Sequence, residues 1–206
     1  MKTLAIIAQK GGSGKTTIAV HMAVCAMRQK LHTALIDIDP QGSAYDWFLS
    51  RPENNMLNAV QATAGQLAAL LKKAKTGGAD FVIIDTAPHS DSAAAITAQL
   101  ADFVLIPCRP ARFDLKAISS TMEIVKLAKT PAAAVINGAP KGRLAEEAKE
   151  ALKQQGITVV DTVLQQRVAY SHAVIDGRSV HEYEPKGKAA EEIDGLFTCL
   201  KKLLKL

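Results

Sequence analysis

Aromatic side chains are scarce in this chain, at 4% of 206 residues with a single tryptophan, so a core has to be assembled from Ala, Val, Ile and Leu. Cysteine is also sparse. Cys25, Cys108 and Cys199 are far apart, which excludes a metal-binding pair of closely spaced thiols and suits small buried hydrophobes in a reducing compartment. No apolar run reaches the roughly 18 residues needed to span a membrane. Met1-Lys2-Thr3 leads directly into a strand-like segment, so no signal peptide is legible and the cytoplasm is the expected location. Internal repeats, low-complexity tracts and linkers are missing too, and residues 1–206 read as one domain with one sizeable core. Charge excludes little. The 25 basic and 20 acidic side chains leave a net +5, which permits an anionic partner without requiring one.

What is present is alternation. Apolar, β-branched runs alternate with helical patterns along almost the whole length, predicting an α/β fold with a mostly parallel central sheet flanked by helices. Strands are expected at about 3–8, 33–38, 80–85, 103–107, 133–137 and 158–163. Helices are expected at about 15–29, 62–75, 115–128, 143–154 and 189–204, with a short one at 43–49 that carries Trp47 and a loop at 51–55. The first helix is apolar nearly all round (Ile18, Val20, Met22, Val24, Met27), as a buried element should be.

Between the first strand and that helix lies Lys10-Gly11-Gly12-Ser13-Gly14-Lys15-Thr16-Thr17. Strand, glycine loop and helix are the context in which a Gly-Lys-Thr sequence binds phosphate. Glycines let consecutive N–H groups approach an anion, and the helix adds its positive N-terminal end. In such a loop Lys15 reaches the β- and γ-phosphates of ATP, the Thr16 hydroxyl binds Mg²⁺, and Thr17 donates to the α-phosphate. Lys10 stands five residues before Lys15 and need not duplicate it. It is either a solvent lysine or a second cation for the phosphates, including those of a neighbouring subunit.

Two carboxylate motifs follow. Asp37 and Asp39 are two apart at a strand end and share a face there, where they can serve Mg²⁺ and the attacking water or simply form a turn before Pro40. Asp85 closes Phe81-Val82-Ile83-Ile84-Asp85 and is placed to hold Mg²⁺ through water.

Lys-Gly-Gly-x-Gly-Lys-Thr-Thr resembles the deviant Walker A motif of the ParA/MinD ATPases, and the resemblance extends over nearly the full chain. Asp37-Ile38-Asp39-Pro40-Gln41 is similar to the second motif of that family, and Asp85-Thr86-Ala87-Pro88 to its switch II. The resemblance implies a P-loop NTPase fold that binds ATP and Mg²⁺ and hydrolyses ATP. It implies that Lys10 crosses a nucleotide-sandwich homodimer to the partner's ATP, with Asp39 orienting the hydrolytic water and Asp37 supporting the metal shell. Asn137 matches the asparagine that contacts adenine in relatives, or is a strand-end turn residue.

Chain length and Asp-Pro-Gln-Gly-Ser resemble the compact plasmid-type ParA group. The resemblance implies an ATP-bound dimer on non-specific DNA, hence on the nucleoid, with hydrolysis stimulated by a small centromere-binding protein. Arg167, Arg178, Lys186 and Lys188 are the candidate DNA contacts, or else a solvated basic surface. Two alternatives stand beside this. One is a MinD-like membrane-cycling ATPase, whose support is the basic amphipathic terminus 197–206; the other is a phosphotransferase acting on a small metabolite. The stripe Ile193, Leu196, Phe197, Leu200, Leu203, Leu204 begins well inside the domain, which favours docking on the sheet and no membrane role.

Overall fold

The computed structural model describes residues 1–52 and 56–206, with backbone only at 112, 113, 115 and 116; of the expected loop at 51–55, residues 53–55 lie outside this description. The strands are β1 (Lys2–Ile6), β2 (Thr33–Asp37), β3 (Leu57–Gln61), β4 (Phe81–Asp85), β5 (Phe103–Cys108), β6 (Ala132–Ala139) and β7 (Val159–Gln165). They form one sheet in the order β3-β2-β4-β1-β5-β6-β7, and every pairing is parallel. A parallel sheet is covered on both faces, which is why its central strands read as continuous apolar runs. Register brings Ile6 and Asp37 level with Asp85, so the carboxyl ends of three adjacent strands converge at one edge. Ligands of open α/β sheets bind at that edge.

One face is covered by α1 (Lys15–Arg28), α2 (Ser43–Leu49), α7 (Val168–Val174), α8 (Val180–Tyr183) and α9 (Lys188–Leu204), which share a single cluster with the sheet. The other carries α3 (Leu67–Thr76), α4 (Asp91–Leu100), α5 (Arg112–Ala128) and α6 (Leu144–Gln154), whose apolar residues divide into two clusters. With so few aromatics, Phe81 and Phe197 meet edge to face at 5.9 Å and tie α9 to β4.

The last helix docks as its spacing predicts. Ile193, Leu196, Phe197, Leu200 and Leu204 are buried and only Leu203 of the stripe is exposed. At about 1.5–3 kcal/mol for each large apolar side chain buried, that face is committed to the core. No described helix is long and apolar enough to cross a membrane.

Three differences from the sequence-based expectation have physical causes. Strand β3 is an edge strand with Leu57 alone fully buried, so it lacks an apolar run. Helix α4 is built from Ala, Ser and Thr and buries only Ala94, Thr97 and Ala98, too weak a stripe to read. Helices α7 and α8 are one to two turns long, below the length at which periodicity is visible. Helix α5 also starts three residues earlier than predicted, and β7 runs to Gln165 rather than residue 163.

Candidate functional site: a phosphate loop at the carboxyl edge of the sheet

The chain leaves β1, turns through residues 7–14 and enters α1 at Lys15. Gly14 makes that turn possible. Its φ of 95° is left-handed, and the Asn137 amide presses against the place a Cβ would occupy. The φ favours glycine, and any Cβ would also displace the Asn137 amide from the loop. The first turn of α1 has no acidic residue, so its free N–H groups present an uncompensated positive end. Gly12, Gly14, Lys15, Thr16, Thr17, Asp39 and Pro88 line a cleft of about 260 Å³. Burial lowers the Lys15 pKa, while the Asp85 and Asp39 carboxylates pull it upward. An arriving phosphate adds to that upward pull and holds the ammonium charged.

Behind Lys15, the Thr16 hydroxyl donates to Asp85 Oδ2 at 2.7 Å. Asp85 is fully buried, and its Oδ1 has no hydrogen-bond partner among the described residues. Burial pushes its pKa up to about 7, against the Thr16 hydrogen bond and with help from Asp37. A carboxyl with one orphaned oxygen beside a hydroxyl fits a hydrated divalent cation, and the cation would restore its ionised form. The residues therefore suit Mg²⁺ held directly by Thr16 and through water by Asp85, where it would neutralise phosphate charge.

Asp37, expected to support the metal shell, engages three backbone amides in this conformation. Its Oδ1 accepts the Asp39 N–H at 3.0 Å, and its Oδ2 accepts those of Ala44 and Tyr45 at 2.9 and 3.1 Å. Burial raises its pKa and those three amides oppose the rise. In this conformation Asp37 organises the 38–43 loop and caps α2, which in turn presents Asp39 to the cleft. Asp39 accepts the Gln41 N–H at 3.0 Å and borders the cleft as expected.

Within one chain, Lys10 does not join the phosphate cleft. Its Nζ donates to Asp114 Oδ2 at 2.6 Å, on the far side of the loop. Lys10 is 41% exposed, whereas Asp114 is 7% exposed. The neighbouring Gln9 is tied to the same side, its N–H donating to Thr121 Oγ1 at 3.3 Å and its amide to Asp91 Oδ1 at 2.5 Å. Gly11 is exposed and outside the cleft lining, and Ser13 is buried on the Lys10 side.

Asn137 is near the end of β6, against the loop. Its Nδ2 donates to the Ser13 carbonyl at 2.7 Å, so here it braces the phosphate loop. Of the basic candidates, Arg167 is paired with Glu192 at 2.5 Å, and Arg178 with Asp176 at 2.7 Å. Lys186 and Lys188 are exposed and form no ion pair among the described residues.

Two residues that matter to the site were not singled out from sequence. Asp114 is one, since nothing in its surroundings marks it as the partner of Lys10. Arg51 is the other. Its guanidinium is buried, donates to the Gly177 carbonyl at 3.0 Å, pairs with Glu182 at 2.8 Å and lies 4.9 Å from the Trp47 ring. Gly177 has a φ of +73° and abuts the Ser50 backbone so closely that a Cβ there would clash.

Residues 4–180 match the family model described as the CobQ/CobB/MinD/ParA nucleotide binding domain. Maintenance of carboxysome distribution protein A from Halothiobacillus neapolitanus is 33% identical, covering 95% of this chain and 94% of that protein. Protein ParA from Rhizobium radiobacter is 23% identical, covering 94% and 92%. Among solved structures, a Cyanothece McdA bound to ATP superposes with a TM-score of 0.78 at 19% identity, covering 100% of this chain and 97% of that one.

Proposed function

This chain belongs to the CobQ/CobB/MinD/ParA nucleotide-binding family and is a ParA/MinD-type ATPase; we propose that it positions a large intracellular cargo through a cycle of ATP-driven dimerisation and hydrolysis. The observation that carries the reading is the division of the phosphate site. Lys15, Thr16 and Asp39 line one cleft, with Asp85 buried behind Thr16, while Lys10 is held on Asp114 outside it. The cis machinery is complete without Lys10, which leaves that lysine for a second subunit. Two chains then enclose two ATP molecules, and each Lys10 neutralises phosphate charge in a water-excluded interface, where a cation acts most strongly. Mg²⁺ accompanies ATP, Asp39 orients the hydrolytic water, and hydrolysis resets the dimer.

As cargo we infer a protein assembly of the carboxysome kind, in place of the plasmid or chromosomal DNA suggested by the sequence. It is supported by the 33% identity to a carboxysome-distribution protein against 23% to a ParA, each over almost the whole chain. The DNA partition reading, with a centromere-binding partner, stays as the second. DNA serves either way as the cytoplasmic track, and its phosphates are met first by Lys186 and Lys188, which form no ion pair among the described residues.

Lys10→Ala tests the site. The expected outcome is unchanged ATP binding by the monomer with loss of ATP-dependent dimerisation in analytical ultracentrifugation, and loss of hydrolysis. Normal dimerisation and turnover by Lys10→Ala would sink the trans role. For the cargo, the gene is deleted in its host. Clumped or polar protein bodies with normal plasmid retention support this reading, and plasmid loss with evenly spaced bodies supports partition.

A further inference from the structure

A second polar cluster lies about 15 Å along α1 from the phosphate loop, at ten residues and 1.5 Å per residue. Cys25 Sγ is 3.3 Å from Asp194 Oδ1, and His181 Nε2 is 2.9 Å from the same oxygen. One ligand atom from each of the three residues lies within 4.8 Å of the others. The residues come from α1, α8 and α9. Cys25 and His181 are buried, whereas the Asp194 side chain is 58% exposed. The cluster thus has a dry floor and one side open to water.

From this geometry we propose that Cys25, His181 and Asp194 form a zinc-class metal site, with water completing a tetrahedron on the open side. Ligands at about 2.0–2.3 Å from Zn²⁺ stand roughly 3.3–3.7 Å apart in a tetrahedron. The Cys25–Asp194 pair is at 3.3 Å, the His181–Asp194 pair at 2.9 Å and all three within 4.8 Å, so small side-chain rotations bring them to that spacing. A thiolate with an imidazole selects zinc or a similar transition ion over Mg²⁺, so this site is chemically separate from the nucleotide's cation.

The protons balance. Binding releases the Cys25 thiol proton to solvent, and His181 presents the Nε2 lone pair while its ring proton sits on Nδ1. Without a metal the 2.9 Å contact places that proton on Nε2, facing Asp194; moving it to the buried Nδ1, which has no hydrogen-bond partner among the described residues, is a cost that the metal bond at Nε2 offsets. Without a metal, burial and the adjacent Asp194 push the Cys25 thiol pKa upward and keep it protonated. The ion clamps α8 and α9 onto the phosphate-loop helix. Because Glu182 follows His181 and pairs with Arg51, the clamp also steadies the segment that carries Asp39.

The test is a titration of chelator-treated, nucleotide-free full-length protein with Co²⁺, followed by competition with Zn²⁺. One equivalent should produce a sulfur-to-cobalt charge-transfer band and the intense visible bands of a four-coordinate ion. Zn²⁺ should displace it and Mg²⁺ should not. The band should vanish in C25S. D194N and H181Q should weaken binding by more than the roughly 10- to 100-fold that losing an outer-shell partner costs. C199S and K15A should bind as the parent does. Asp194 is largely exposed, so D194N keeps the fold, and circular dichroism checks this; Zn²⁺ should raise the melting temperature of the parent and not of D194N. Absence of the sulfur band, its loss in C199S, or unchanged affinity in D194N and H181Q would overturn the proposal.

Discussion

The phosphate loop has two flanks, and they are held in different ways. On one flank, the segment from Asp37 to Arg51 is fixed by buried contacts: Asp37 on three amides, Trp47 Nε1 donating to the Arg178 carbonyl at 3.0 Å, and Arg51 on Glu182 and Gly177. On the other, the entrance is held by Lys10 on Asp114 and Gln9 on Asp91, contacts that water reaches. A buried pair broken by deleting one partner costs several kcal/mol because the survivor is left without solvation. Lys10 is 41% exposed and regains water when it leaves its partner, so the cost of the move lies with the 7%-exposed Asp114 carboxylate left behind. One flank is therefore a wall that presents Asp39, and the other an arm whose cation can be transferred to another subunit.

The comparison can be broken at either flank, and the largest effects are expected in the cleft between them. Lys15→Ala should weaken ATP binding by about 100-fold or more, as loss of a buried charge contact does, read by calorimetric titration. Asp39→Ala should still bind ATP and lose about 10²- to 10⁴-fold in turnover, the usual share of a group that handles a proton. Single-turnover phosphate release measures it, and parent-like turnover would remove Asp39 from the mechanism.

On the wall, Arg51→Ala should lower stability by about 3–5 kcal/mol in urea denaturation. Burial alone would raise the Glu182 pKa, but Arg51 and the Ser179 amide outweigh it and hold it low. The variant should therefore also move Glu182 titration upward. A loss below about 1 kcal/mol would put the Arg51 pair in the same class as the arm.

A fourth expectation concerns pH on the wall's side. His21 is buried beside Tyr170, accepts the Val180 N–H at 3.3 Å, and has its pKa lowered by burial to about 4 from an ordinary 6.5. Below pH 6.5 the unfolded chain takes up a proton that the folded chain refuses, so stability falls as pH drops from 6.5 toward 4. The full span is worth about 3 kcal/mol, and the contribution is present in full above pH 6.5. His21→Gln should be less stable at neutral pH with a shallower acid slope, and an unchanged slope would contradict the assignment.

The smallest change is expected on the arm. Asp114→Asn removes the charge that holds Lys10 and leaves only the exposed ammonium unpaired, so it should shift stability by about 1 kcal/mol and leave monomer ATP binding as it was. ATP-dependent dimerisation should become tighter. Weaker dimerisation would mean that Asp114 positions Lys10 for the partner rather than detaining it.

The central strands were legible because a strand buried on both faces must be apolar throughout, and β1, β2, β4, β5 and β6 are such strands. Edge strand β3 and the small-residue helix α4 bury too little to leave a pattern. The phosphate loop was legible for a local reason: it is one contiguous stretch whose backbone conformation requires glycine at Gly14 and whose donors follow directly. Asp39 and Asp85 could be located because strand ends in a parallel sheet lie together.

Partnership across the fold is another matter. Lys10 meets Asp114 over 104 residues, Arg51 meets Glu182 over 131, and Cys25 meets Asp194 over 169. Composition excluded a metal site made of neighbouring cysteines, yet the packing of α1, α8 and α9 assembles a thiol, an imidazole and a carboxylate from residues that no spacing connects. Local chemistry is written in consecutive residues because backbone dihedrals and strand burial act over a few positions. Charge pairing is not, because it depends on distances that exist only after helices have packed on the sheet.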